Sequence, residues 1–353
     1  MSGRVAIVGG GLAGLACAQT LQERGVEVVV FDKGRTPGGR LSPGRALGAD
    51  LGAQYFTVRD PRFAARVRAW TERGVAQPWR ARIGAIASAG APPVETTPVA
   101  RWVGVPGMGA IAETLAEGLD LRRSHRVDRV ERREGKLHLA GLVGAEGTTL
   151  APRDPHAQEP LVDLGAYDHL VVAIPPAQAQ PLLESASPRL ARVASEVPFE
   201  PCLAVAFVTE SAALRDLPFD GLFVGREGDP DRILSWIARD GSKPQRPARE
   251  TWILHAAPEW SRTHLRDPRE EIERALVDAL ARITGIERPT THATALRRWA
   301  FARTPHPLDA VLFDDDARIG IAGDWCAGGR VEGAVLSGIA LAERLLADPT
   351  VGG

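Results

Sequence analysis

Val5-Ala-Ile-Val8, the run Gly9-Gly10-Gly11-Leu12-Ala13-Gly14, and Val26-Glu-Val-Val-Val-Phe31-Asp32 decide the fold of this chain. Val5 to Val8 is an uninterrupted apolar run, as expected of a strand buried on both faces of a parallel sheet. The glycines at 9, 11 and 14 satisfy GxGxxG. Leu12, Leu15, Ala16, Ala18 and Leu21 then recur at helical spacing as far as Gly25, a C-cap glycine. Val26 to Phe31 reads as a second buried strand, closed by Asp32. In such a strand–turn–helix–strand unit, Gly9 permits the tight turn, Gly11 lets the backbone approach a pyrophosphate, and Gly14 lets helix and strand pack closely. The helix N-terminus offers unpaired N–H groups and a partial positive charge to phosphates. Asp32 can accept from both hydroxyls of an adenosine ribose, and an acid there disfavours a 2′-phosphate. The unit predicts a dinucleotide, and not NADP.

Two further segments narrow the dinucleotide. Gly38-Gly39-Arg40 follows the ribose acid closely, and Arg318-Ile-Gly-Ile-Ala-Gly-Asp324 reads as a strand delivering an aspartate to a helix from Val331 to Leu345. This pair of motifs, at opposite ends of the chain, resembles the flavin amine-oxidase superfamily. The resemblance implies non-covalent FAD. Its pyrophosphate and ribose would be held by Gly9, Gly11, Leu12, Ala13, Gly14, Asp32, Lys33, Gly39 and Arg40, with Arg40 a cation near the diphosphate. Tyr55, Phe56, Gly323, Asp324, Arg330, Val331 and Glu332 would hold the flavin half, and the backbone near Val127 would pack on adenine. The implied fold is α/β: a Rossmann-like FAD-binding domain of the GR2 type (1–57, 105–194 and 298–353) with a second α+β substrate domain (58–104 and 195–297) on a mixed or antiparallel sheet.

The remaining sequence is consistent with that organisation. Val127 to Leu139 alternates like a hairpin, Asp168 to Pro176 reads as a returning buried strand, and Pro61 to Gly74 reads as an amphipathic cap helix. Leu203–Val208, Ile233–Ile237 and Trp252–His255 read as strands, and Asp267–Thr284 as a helix with Ile272, Leu276, Leu280 and Ile283 inward. The Gly- and Pro-containing stretch 141–166 reads as an extended surface loop without a role. With a formal charge of −1, 44% hydrophobic and 25% charged residues, the 353-residue chain has no basic excess to grip nucleic acid or an anionic membrane. Cys17, Cys202 and Cys326 are widely spaced, which indicates neither a disulfide framework nor a metal site. No apolar run reaches the ~18 residues of a membrane span, so a cytoplasmic location is expected.

A narrower set of segments carries a narrower resemblance. Asp50-Leu-Gly-Ala-Gln-Tyr-Phe-Thr57, Arg101-Trp-Val-Gly-Val-Pro-Gly-Met108, Thr251-Trp-Ile-Leu-His-Ala256, Arg298-Trp299 and Gly323-Asp-Trp-Cys-Ala-Gly-Gly-Arg-Val-Glu-Gly-Ala334, together with Ser242-Lys-Pro244 and Glu259-Trp-Ser261, look like the bacterial renalases. That resemblance implies oxidation of 2- and 6-dihydro isomers of NAD(P), hydride passing to flavin N5 and electrons to O2, giving H2O2. Two tyrosines in the whole chain leave little for the aromatic cage of an amine oxidase. Arg330 stands where that cage has a tyrosine, and a cation repels an ammonium. The lysine that holds a water near N5 in amine oxidases could only be Lys243 here, and its setting between Ser242 and Pro244 reads as an exposed turn. Gln54, Trp236, His255, Trp299 and Arg330 are the candidate catalytic residues. Gln54 serves a substrate carboxamide or the flavin edge, or else caps backbone, and the tryptophans serve either a flat ring or the core. An amine oxidase, an FAD-dependent reductase or desaturase, and a non-catalytic flavin-binding partner protein all remain open, as does the oligomeric state.

Overall fold

The computed structural model describes residues 3–42, 47–152, 159–226 and 232–351. The opening unit forms as read. Strand β1 (Val5–Val8) pairs in parallel with β2 (Val28–Asp32), and helix α1 (Leu12–Gln22) crosses between them. The second strand begins two residues later than the apolar run, Val26 being buried beneath the turn at Gly25. On the other side β1 pairs with His169–Val172, which pairs with Ile319–Ile321; Asp120–Arg123 joins β2 at the far edge. These strands are parallel, and Leu312–Asp314 adds an antiparallel edge to complete a six-stranded sheet. Parallel strands need cover on both faces, and β1 is fully buried accordingly.

Helix Val331–Leu346 lies directly on α1, tightly enough that a Cβ at Gly338 would sit 2.1 Å from the Ala13 carbonyl oxygen. The first and last chain segments are therefore packed into one body. Helix Pro61–Glu72 buries Phe63, Val67 and Trp70 in the same core, started by Asp60, whose side chain accepts from the Arg62 N–H.

A seven-stranded sheet lies over the carboxyl ends of the parallel strands. Its order is Ala293–Arg303, Glu200–Val208, Thr251–Ala256, Leu234–Arg239, Gly221–Val224, Ile83–Ile86 and Val94–Glu95. All neighbours are antiparallel except Gly221–Val224 with Ile83–Ile86. Helix Arg269–Thr284 covers the outer face with Ile272, Leu276 and Leu280, as the helical spacing predicts. The inner face looks into a cavity. The α/β fold class with a second mixed sheet holds.

One expectation fails. The stretch 141–166 is not all loop. Lys136–Val143 continues the hairpin from His125–Arg133, and Val162–Tyr167 returns as a third antiparallel strand, with a bulge between Asp163 and Gly165. Residues 153–158 of that stretch lie outside the described residues. The segment between the strands is tied to the loop after β2 by hydrogen bonds from Leu150 N to Lys33 O (2.9 Å) and from Arg35 N to Thr149 Oγ1 (3.3 Å).

Candidate active site

The cavity between the two sheets has a volume of about 1980 Å³, well above the roughly 300–1,000 Å³ of an ordinary small-molecule pocket. It runs from Asp32, Lys33 and Val127 at one end, past Gly9, Gly11 and Gly39, to Trp236, His255, Trp299 and Arg330 at the other. Ala13, Leu12, Gly323, Asp324, Val331, Tyr55, Phe56, Gln54 and Arg40 line it between. It is long enough in composition for a dinucleotide with room for a second molecule.

Its floor is built to receive phosphate. The α1 N-terminus has no side-chain cap and no acidic residue in its first turn, so its N–H groups and dipole are unspent. A Cβ added at Gly11 would meet no protein atom within 4 Å. The space it would enter is the cavity. At the adenosine end, burial pushes the Asp32 carboxyl above its usual range, while the Gly10 and Gly34 N–H groups and Lys33 pull the other way. Both N–H groups lie 2.5 Å from its oxygens, leaving each oxygen capacity to accept a ribose hydroxyl. Burial lowers the Lys33 ammonium; Asp32 opposes this, whereas Arg126 and Arg297 add to it.

The floor and the last helix are joined by one ion pair. Arg40 donates to both Asp324 oxygens at 2.9 and 2.6 Å and to the Ala302 carbonyl at 2.8 Å. Arg40 lines the cavity and is held in place by Asp324, which matches its charge. The Val331–Leu346 helix also lacks a side-chain cap. Glu332, in its first turn, does not line the cavity: its Oε1 accepts from Arg59 N at 2.7 Å and Asp60 N at 2.8 Å. Gly14 too lies outside the lining, its missing side chain required because a Cβ would stand 2.0 Å from Gly9 O.

Such a floor, with an uncapped helix, an open glycine and a ribose acid at the ends of parallel strands, fits a dinucleotide. A model of the NAD(P)-binding Rossmann-like domain matches residues 7–70, and one described as flavin containing amine oxidoreductase matches residues 95–346. The chain belongs to the flavin-containing amine oxidoreductase family. Its cofactor is FAD, and the lining described above fits that group at both ends.

Solved structures with a similar fold include a putative protoporphyrinogen oxidase from Exiguobacterium sp. 255-15 (13% identity, TM-score 0.73, 98% of each chain). Cyclohexylamine oxidase from Brevibacterium oxydans IH-35A (15%, TM-score 0.71, covering 98% of this chain and 100% of that one) and putrescine oxidase (13%, TM-score 0.69, 99% and 100%) share it too. A hydroxyneurosporene desaturase of Rubrivivax gelatinosus is 45% identical over 58 residues, which is 16% of this chain and 11% of the desaturase.

On this flavoprotein scaffold the inner face of the seven-stranded sheet forms the roof. The register sets Phe223 beside Trp236, Trp236 beside His255, His255 beside Ala204 and Ala204 beside Arg297. Paired positions on neighbouring strands carry side chains in contact on one face. The row is therefore aromatic at one end and cationic at the other. Phe223 and Trp236 have ring centroids 4.7 Å apart, and Tyr55 lies 5.7 Å from Trp236. Trp299 donates from Nε1 to Leu51 O at 2.8 Å and carries the Arg297 guanidinium 4.6 Å from its ring. Trp236 Nε1 and His255 Nε2 find no partner among the described residues. Tyr167, the other tyrosine, is buried beneath the hairpin against Phe31 and Leu164 O, away from the cavity.

Gln54 takes its backbone-capping alternative. Nε2 donates to Asp50 O and to Gly52 O, and Oε1 accepts from Lys243 Nζ at 3.2 Å. Lys243 is the largest error of the sequence reading: it is no exposed turn, its side chain being fully buried between Asp50 and Asp240. Asp240 is three residues away, but Asp50, which encloses the lysine from the other side, is 193 residues away, and no spacing along the chain brings it there. Phe223, Arg297 and Thr148–Leu150 are likewise lining residues that sequence reasoning missed; only strand register reveals the first two.

His255 has a pH signature. Burial, helped by the nearby Lys243 charge and opposed by the Leu51 carbonyl, lowers its imidazole to about 4. The unfolded chain takes up this proton near pH 6.5 and the folded chain only near 4, so acidification between those values favours unfolding. Thermal melting is expected to lose stability as pH falls from 6.5 toward 4, and His255→Gln to flatten that slope. An unchanged slope would contradict a neutral, enclosed imidazole.

Proposed function

We propose that the protein oxidises a dihydronicotinamide dinucleotide, the 2- or 6-dihydro isomers of NAD(P), with O2 as final acceptor and H2O2 as product. The observation carrying this reading is the charge of the substrate side. Arg232, Arg269 and Arg297 line the cavity there, Arg330 faces it from the flavin helix, and among the described residues no carboxylate of the roof sheet does. The carboxylates that do line it, Asp32, Asp128, Glu184 and Asp324, all come from the opposite body. Arg269 is paired with Glu273 (2.7 Å), yet an ammonium substrate would meet guanidinium groups and, among the described residues, no lining carboxylate of the roof sheet. A carboxamide and a pyrophosphate meet donors.

FAD, when bound, supplies a hydride acceptor that hands its electron pair to O2. The chain supplies orientation. Phe223, Trp236 and Trp299 offer flat faces for a ring, and Arg330, exposed at the helix N-cap with no side-chain partner among the described residues, offers a charge-assisted hydrogen bond. A neutral His255 takes no proton in the working range, which suits a substrate whose ring becomes aromatic on losing hydride and needs no strong base. Cys326 supports dissociable FAD: it lies outside the lining, and burial pushes its thiol up to about 12. A cytoplasmic location, where reduced pyridine nucleotides arise, belongs to the same reading.

Arg330→Ala removes a hydrogen bond to a charged group, a loss of about 1.5–3 kcal/mol, or roughly 10- to 100-fold in kcat/KM for dihydronicotinamide oxidation. Steady-state oxygen uptake checks this. Wild-type kcat/KM in the variant would remove Arg330 from the substrate site and weaken the reading.

A further inference from the structure

Behind Gln54 lies a group of four buried charges that the proposed chemistry does not use. Lys243 Nζ makes three bonds: to Asp240 Oδ1 (2.8 Å), Asp50 Oδ2 (3.2 Å) and Gln54 Oε1 (3.2 Å). Arg246 Nη2 meets Asp50 Oδ2 at 2.5 Å, and its Nη1 donates to the carbonyls of Gly104, Pro106 and Pro244. Asp50 Oδ1 accepts from Met108 N at 2.9 Å. Two carboxylates and two cations, none with a side chain more than 3% exposed, thus tie together three segments: 50–54 on the flavin side, 104–108, and 240–246 on the substrate side. An isolated ion here would be very costly, and a charge-balanced set, bonded at every polar group except Arg246 Nε, which lies 3.7 Å from Asp240 Oδ2, holds its members to one geometry.

Gln54 is the outlet of that geometry into the cavity. Both Nε2 protons and one side of Oε1 are committed, so the amide has a single orientation. The segment it caps has no slack either: Ala53 N donates to Arg40 O at 3.1 Å, and Leu51 O receives Trp299 Nε1. Leu51 to Tyr55 all line the cavity. Lys243 itself does not.

We propose that Lys243 is a positioning residue, fixing the Gln54 amide and with it the Leu51–Tyr55 wall against which the flavin is seated. The proposal rests on the flavin site and not on the identity of the substrate. Its test uses the FAD-loaded full chain and compares wild type, Gln54→Leu, the charge-balanced Lys243→Met/Asp240→Asn, and all three substitutions together. The readouts are the visible absorption spectrum of the bound flavin, its midpoint potential by photoreduction, and its rate of reduction by any donor that reduces the wild type.

Gln54→Leu and the charge-balanced pair are each expected to shift spectrum and potential alike and to slow reduction roughly 10- to 100-fold. The triple variant should add nothing further, because Gln54 is already released. A purely structural lysine would lower stability and leave the flavin of the surviving protein unchanged. Wild-type spectra and rates in Gln54→Leu, or effects that sum in the triple variant, overturn the proposal. Should the paired variant not fold, Lys243→Arg keeps the charge without the three bonds. A shift like that of Gln54→Leu supports the proposal, and wild-type behaviour overturns it.

Discussion

Replacing Gly11 by valine is expected to yield a folded chain that carries no flavin. Gly11 has φ −78° and ψ 175°, a conformation open to any residue, so no backbone strain follows. A Cβ there touches nothing in the protein. What it occupies is the space where the pyrophosphate comes close to the α1 N-terminus. The apoprotein should unfold at the wild-type denaturant midpoint, while FAD affinity falls by about 3 kcal/mol or more, roughly 100-fold. Gly14→Val should fail differently. Its Cβ would lie 2.0 Å from the Gly9 carbonyl oxygen, a main-chain atom that cannot rotate aside, so the fold itself is damaged. Urea titration of both apoproteins, with fluorescence-detected FAD binding, separates the two. A Gly11→Val chain that binds FAD normally would contradict the placement of the phosphates.

The second large effect belongs to Lys243. Lys243→Met alone leaves Asp50 and Asp240 facing one arginine in a buried site. Breaking a buried ion pair from one side costs about 3–5 kcal/mol. Against a domain stability of about 5–15 kcal/mol, that threatens folding at ordinary temperature. Adding Asp240→Asn should recover a large part of the loss, because the second substitution removes the charge the first left unmatched. The Asp50 carboxyl carries the corresponding pH dependence. Burial would raise it, but Lys243 and Arg246 hold it below the usual carboxylate range. Its contribution is fully present above about pH 4 and is lost as the pH falls below that toward the lower folded value. Equal urea midpoints for Lys243→Met and wild type would contradict the buried quartet.

What could be read in the sequence was what is encoded locally. The β1–α1–β2 unit is legible because an apolar run, three spaced glycines and an acid lie within one short stretch. Asp324 is legible because the strand before it and the helix after it frame it. The site's second half depends on register. Trp236, His255 and Arg297 share a row only because three antiparallel pairings bring them there, and no spacing along the chain predicts that. Lys243 shows the same limit more sharply. Ser-Lys-Pro looks like a surface turn, but it follows the short helical turn Asp240–Ser242 and carries the lysine inward onto an aspartate contributed by the flavin side. Val162–Tyr167 escaped notice because Gly165, at φ +106°, and the bulge beside it break the alternation that marks a strand.

The most direct measurement is an anaerobic titration of the FAD-loaded protein, following the visible absorbance of the oxidised flavin. The donors are 2-dihydroNAD, 6-dihydroNAD, ordinary NADPH and a panel of primary and secondary amines. The account predicts rapid, stoichiometric bleaching by one or both dihydroNAD isomers, restored by O2 with formation of peroxide, and no comparable bleaching by NADPH or the amines. Flavin that bleaches with an amine or with NADPH while ignoring both isomers would contradict it.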